Sequence, residues 1–155
     1  MKNHRLILLA AAACTLLTAP LTYAELGWLN DYKKAQEEAK ANNKFVLLDF
    51  TGSDWCYWCK VFDKEIFSQQ QFKDYASENL VLMEIDFPWP GSPRAQGQPP
   101  ELKKQNEELA QQYQVSGFPT IIVLNADGQK VWQFEGFFSA GTAAFIAELE
   151  KLRKG

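Results

Sequence analysis

An α/β fold, with a mixed central sheet covered by helices on both faces, is the architecture that this 155-residue sequence predicts. Three observations carry it. Helical and strand periodicities alternate along the chain, an Asn-Ala-Asp-Gly turn joins the last two strand patterns, and an apolar content of 46% suffices for the core of one domain. Helical crossovers make the early strands parallel, and the tight turn adds an antiparallel hairpin towards the C-terminus.

The elements follow in order. Asn30 is placed to cap a first helix in which Tyr32, Ala35 and Ala39 recur at helical spacing, and which ends near Asn42-Asn43. Residues 45–50 (FVLLDF) are nearly continuous in apolar character, as a strand buried on both faces must be. From about Tyr57 a helical stretch carries Val61, Phe62, Ile66 and Phe67, with a second piece over 69–77 and a strand over 80–85. Residues 87–100 (FPWPGSPRAQGQPP) then hold five of the seven prolines, which predicts an inserted loop with neither regular helix nor strand. Pro100 suits the start of a helix presenting Leu102, Leu109 and Tyr113 on one face. Residues 120–124 and 130–135 form the hairpin around Asn125-Ala126-Asp127-Gly128. A final helix from about Ala140 packs Phe145, Leu149 and Leu152, and Lys151, Arg153 and Lys154 sit near its negative end. Trp28, Trp132 and Met83 read as core.

The first 24 residues stand apart from this pattern. Lys2 and Arg5 form a positive head, residues 6–19 are an uncharged and mostly apolar run of 14, and Thr22-Tyr23-Ala24 supplies a small-residue cleavage site. A secretory signal peptide over 1–24, cut after Ala24, is therefore expected, leaving one domain over 25–155. An uncleaved anchor would need roughly 20 apolar residues. Lipidation at Cys14 lacks a large aliphatic residue in the preceding Ala11-Ala12-Ala13. Cleavage removes two of the 16 basic residues and none of the 19 acidic ones, so the net charge moves from −3 to about −5. Nucleic acid is excluded as an electrostatic partner. The sole histidine, His4, leaves with the signal, which removes Cys-His and Ser-His-Asp nucleophile systems and imidazole metal sites.

Two cysteines then remain, Cys56 and Cys59, in Cys56-Tyr57-Trp58-Cys59 where the buried strand gives way to a helix. Residues three apart on a first helical turn lie about 5–6 Å from each other, within reach of a disulfide that opens and closes without moving the fold. Unpaired N–H groups at the helix start favour a thiolate, the form that attacks disulfides. Cys56 is thus the expected nucleophile and Cys59 the resolving thiol, with Lys60 adding a positive charge. A purely structural disulfide closes too small a loop to constrain the unfolded chain much. A zinc site lacks two further ligands, and inert free thiols do not suit an oxidising compartment.

The run LLDFTGSDWCYWCK, followed about sixty residues later by Gly117-Phe118-Pro119-Thr120, resembles the thioredoxin-like proteins, in particular their secreted bacterial branch. The resemblance spans essentially the whole mature chain. It implies the thioredoxin fold, with Pro119 as a cis-proline packed against the cysteine pair and Phe118 offering its backbone to an extended substrate. It also implies that Asp49 corresponds to the buried aspartate that exchanges a proton with the second cysteine. Inside an apolar run such a carboxyl titrates high. Thioredoxin has one residue fewer between that aspartate and the first cysteine, so residues 51–54 must absorb an insertion, and Asp54 is the alternative acceptor. The Tyr57-Trp58 pair replaces thioredoxin's Gly-Pro, which leaves the redox direction open.

Trp55, Tyr57 and Trp58 are expected to form an apolar platform for an unfolded or extended partner. Trp89 and Arg94 of the inserted loop are expected to contribute to partner selection. The function that these features imply is an exported, periplasmic, monomeric thiol-disulfide oxidoreductase. It needs no cofactor or metal, is not membrane-embedded after cleavage, and works with client proteins and a redox partner protein. The alternative is a binding module that uses the cysteine pair for a soft metal such as copper(I), or to lock a peptide-binding surface.

Overall fold

The computed structural model describes residues 27–154. The expected signal segment, with His4 and Cys14, lies outside the described residues. The elements run α1 (Tyr32–Asn42), β1 (Phe45–Thr51), α2 (Tyr57–Phe62), a π-helical turn (Asp63–Phe67), α3 (Gln70–Asn79), β2 (Leu80–Asp86), α4 (Pro93–Gly97), α5 (Pro100–Gln112), β3 (Thr120–Leu124), β4 (Lys130–Glu135) and α6 (Thr142–Lys154). No helix among the described residues is long and apolar enough to cross a membrane.

The sheet has the order β2-β1-β3-β4. β1 pairs parallel with β2 through the helical crossover, whereas β3 runs antiparallel to both β1 and β4. The mixed sheet expected from the periodicities is therefore present. Its two faces carry separate cores, because alternate residues of each strand point to opposite sides. Val46, Leu48 and Phe50 of β1 pack with Ala35 and Ala39 of α1 and Leu109 and Tyr113 at the end of α5. On the other face Leu47 packs with Phe62, Ile66, Phe67, Phe72 and Phe145, from the helical run after β1, α3 and α6.

Two local expectations change. The cap of α1 is Asp31 rather than Asn30: its carboxylate accepts the Lys34 N–H at 3.0 Å, the third amide of the helix, where a capping side chain must reach. Asn30 instead accepts a hydrogen bond on its carbonyl from Gln105. The inserted loop is not wholly irregular either, since Pro93–Gly97 forms α4. Pro93 occupies the first helical position, where a missing N–H costs nothing, and Ser92 Oγ accepts the Ala95 N–H at 3.1 Å. Proline density marked the boundaries of a short helix as well as the absence of a long one.

Candidate redox site

The site grows from a change of chemistry along one face of the sheet. On the face covered by α2, β1 reads Leu47, Asp49, Thr51 and β2 reads Leu80, Leu82, Glu84, Asp86, so both strands turn from apolar to polar towards their C-terminal ends. Asp49 and Glu84 are register partners across the parallel pair, as are Thr51 and Asp86. The polar ends lie where β1 hands over to α2.

Residues 52–55 make that handover. The Cys56 N–H donates to the Gly52 carbonyl at 2.8 Å. Ser53 is fastened to Asp86 twice, through its N–H at 2.9 Å and its hydroxyl at 2.8 Å. β1 keeps its register with β2 through Thr51, so the turn begins only at Gly52.

Cys56 is the N-cap of α2, and its Sγ accepts the Cys59 N–H at 3.2 Å. The two cysteines are joined by a disulfide with their Cα atoms 5.3 Å apart, and both are nearly covered, at 6% and 5% exposure. An amide aimed at the first sulfur lowers the cost of negative charge there once the bond opens. Lys60 Nζ donates to the Asp54 carbonyl at 2.8 Å, tying the start of the helix to the turn before it.

Beneath the disulfide lies a cavity of about 390 Å³ lined by Cys59, Asp49, Asp63 and Glu84, together with Lys60, Arg94, Trp28 and Phe67. Burial, then the negative charges of Glu84, Asp63 and Asp86, hold the Asp49 carboxyl well above the usual carboxylate range. Glu84 is also raised, by burial first and by Asp86 second, with Arg94 opposing. Asp54 faces elsewhere. Its carboxylate accepts the Trp89 N–H at 2.9 Å, and hydrogen bonds from the Ser92 side chain and that amide keep it below its usual range. Of the two aspartates considered, Asp49 shares a cavity with Cys59, and Asp54 fastens the inserted loop to the active-site turn.

Around the disulfide the surface is aromatic. Trp55, Tyr57, Trp58 and Trp89 are 45%, 68%, 54% and 59% exposed. The Trp55 indole donates to the Phe87 carbonyl at 2.8 Å and meets both Trp89 and Phe118 edge-on. Phe118 stacks on Phe87, and Trp58 stacks on Phe137. The Phe118-Pro119 peptide bond is cis, and Pro119 is buried. Arg94, whose side chain is half exposed, is held by two carboxylates: its Nη2 lies 3.2 Å from Glu84 Oε1, and its Nε donates to Asp86.

Several of these residues escaped the sequence reading. Glu84 interrupts an apolar strand just as Asp49 does, and Asp63 stands one helical turn beyond Cys59, so both carried a legible signal. Trp28, expected only as core, also lines the cavity and packs edge-on against Phe67. Phe87 and Phe137 have no local signal, since only the fold brings them to the cysteines.

A family model described as a thioredoxin-like domain matches residues 32–153. The chain belongs to the thioredoxin-like family. This thioredoxin-like chain is 36% identical over 137 residues to the disulfide bond reductase DsbH of Chlamydia pneumoniae, an alignment spanning 88% of this chain and 78% of that protein. A solved structure of a DsbH oxidoreductase superposes with a TM-score of 0.75 at 33% identity, covering 93% of this chain and 95% of the other. The thiol:disulfide interchange protein DsbD of Vibrio cholerae is 33% identical over 111 residues, which are 72% of this chain and only 16% of DsbD. The oxidised C-terminal domain of Neisseria meningitidis DsbD shares the fold, with a TM-score of 0.54 at 22% identity, covering 77% of this chain and 90% of that domain. The thioredoxin-like chain is accordingly a thiol-disulfide oxidoreductase with a thioredoxin fold.

Proposed function

We propose that this protein is exported, loses residues 1–24, and reduces disulfides of client proteins in the periplasm through Cys56 and Cys59. The observation that carries the reading is a closed Cys56–Cys59 disulfide whose first sulfur accepts a helix amide and whose second cysteine shares a cavity with Asp49. The reductive direction is supported by the DsbH relative, a disulfide bond reductase by name.

In the reduced enzyme, Cys56 thiolate attacks one sulfur of a client disulfide, and the client's other sulfur leaves as a thiolate that takes a proton from water. Cys59 then passes its proton to Asp49 and attacks Cys56 Sγ, releasing the client's second sulfur. Two electrons have moved to the client, and the enzyme holds the disulfide seen here. A dithiol partner protein returns the pair of electrons. Trp55, Tyr57, Trp58 and Phe118, with Pro119 beneath, supply the apolar surface on which an extended client segment lies.

Insulin reduction followed by turbidity tests this. Cys56→Ser is expected to abolish turnover, and Cys59→Ser to accumulate a mixed disulfide detectable by mass spectrometry. Unchanged turnover in Cys56→Ser overturns the proposal. A midpoint potential in glutathione buffers near about −270 mV supports reduction, whereas one near about −120 mV assigns the protein to oxidation.

A further inference from the structure

The cavity beneath the disulfide has an uneven charge. Asp49 on β1 is faced by Glu84 and Asp86 from β2 and by Asp63 from the helical run after Cys59. Two cations border the same space. Lys60 carries its ammonium to the Asp54 carbonyl at the outer rim. Arg94 alone of the two is ion-paired with these carboxylates: it reaches in from α4, contacts Glu84 at 3.2 Å and donates to Asp86. Asp86, 8% exposed, is further held by Ser53, so the guanidinium is bonded to an oxygen acceptor that is itself fixed to the active-site turn.

We propose that Arg94 is a positioning residue of the exchange reaction: the inserted loop delivers its guanidinium to Glu84 and Asp86, compensating the carboxylate that faces Asp49 across the sheet and so keeping Asp49 able to accept the Cys59 proton. The proposal rests on the reading of Asp49 as that acceptor. Its physical content is a matter of sign. With Arg94 in place, the Glu84 charge acts on Asp49 as one end of an ion pair, whose field falls off faster than that of a lone charge. Without it, Glu84 opposes ionisation of Asp49 at full strength, and fewer Asp49 carboxylates are open when Cys59 must lose its proton. The segment over 87–100 then serves the chemistry from below through Arg94, and the client surface from above through Trp89.

The test follows Asp49 directly, by ¹³C carboxyl titration in the oxidised protein, alongside the pH profile of client release from the Cys56 mixed disulfide. In Arg94→Gln the Asp49 titration is expected to move to higher pH, and release at pH 7 to slow about threefold or more, with the gap closing at high pH because each pH unit changes the ionised fraction tenfold. Arg94→Lys is expected to retain most of the wild-type rate. Glu84→Gln combined with Arg94→Gln is expected to bring the titration back towards wild type. An Asp49 titration unmoved in Arg94→Gln, or a rate loss equal at every pH, overturns the proposal. Asp49→Asn judges the underlying reading separately: a release rate and pH profile unchanged in that variant overturn Asp49 as acceptor, whatever the titration shows of Arg94.

Discussion

Asp49 shows what a single carboxyl costs a fold. Its folded-state titration lies above the ordinary value of 3.8, so between those two pH values the native state holds a proton that the unfolded chain has released. Stability rises with pH where the unfolded state binds more protons, and here the native state binds more. This residue therefore removes stability as pH climbs from about 4 through its raised folded value. Asp49→Asn is expected to raise Tm at pH 8 by a few degrees, and the gain is expected to vanish below pH 4; scanning calorimetry across that range measures both. The same residue explains what was legible early. A charged group inside an apolar strand is visible in a sequence, and so was Asp49. Glu84 carried the same mark, yet its meaning depends on Arg94, ten residues on, folding back to meet it.

The turn between β1 and α2 is specified by close packing as much as by hydrogen bonds. A Cβ on Gly52 would lie 2.5 Å from Trp55 Cε2 and 2.6 Å from its Nε1, and the indole cannot retreat without losing the Phe87 carbonyl. Gly52→Ala is expected to cost about 1–3 kcal/mol in urea unfolding and to alter the near-ultraviolet circular dichroism of the indole. The inserted segment is held by comparable means. Ser92 caps α4, and Asp54 accepts the Trp89 amide. Ser92→Ala is expected to cost about 1 kcal/mol and to lower the protection of the Ala95 amide in hydrogen exchange. Proline counting found the ends of this segment but not its interior, because a five-residue helix with no buried residue depends on its one serine cap.

Across the whole molecule the two cores stand back to back through β1, β2 and β3, which are almost wholly buried, whereas the edge strand β4 is not. Leu47 and Ile121 lie on one face, Leu48 and Ile122 on the other, and all four are fully covered. Leu47→Ala is expected to destabilise by about 2–5 kcal/mol, measured by chemical denaturation, whereas Glu37→Ala at the exposed Lys33–Glu37 pair should change stability by about 0.5 kcal/mol or less. The alternation of elements, the hairpin and most core residues were readable because periodicity is local. The layout of the site was not: Trp28, Phe87 with Arg94, and Phe137 reach it from three distant stretches of chain.

A short clasp at the start of the domain ties these scales together. Leu29 bridges to Met83, with its N–H donating to the Leu82 carbonyl and its own carbonyl accepting the Glu84 N–H, both at 2.9 Å. Those two bonds occupy the outer margin of β2, which is otherwise an open template for strand addition. Trimming the protein back to Asp31 would strip that guard and remove the Trp28 wall of the cavity in one cut. Such a shortened chain is expected to self-associate progressively with concentration in light scattering, so the few residues before α1 act as a safeguard against aggregation as well as a part of the redox centre.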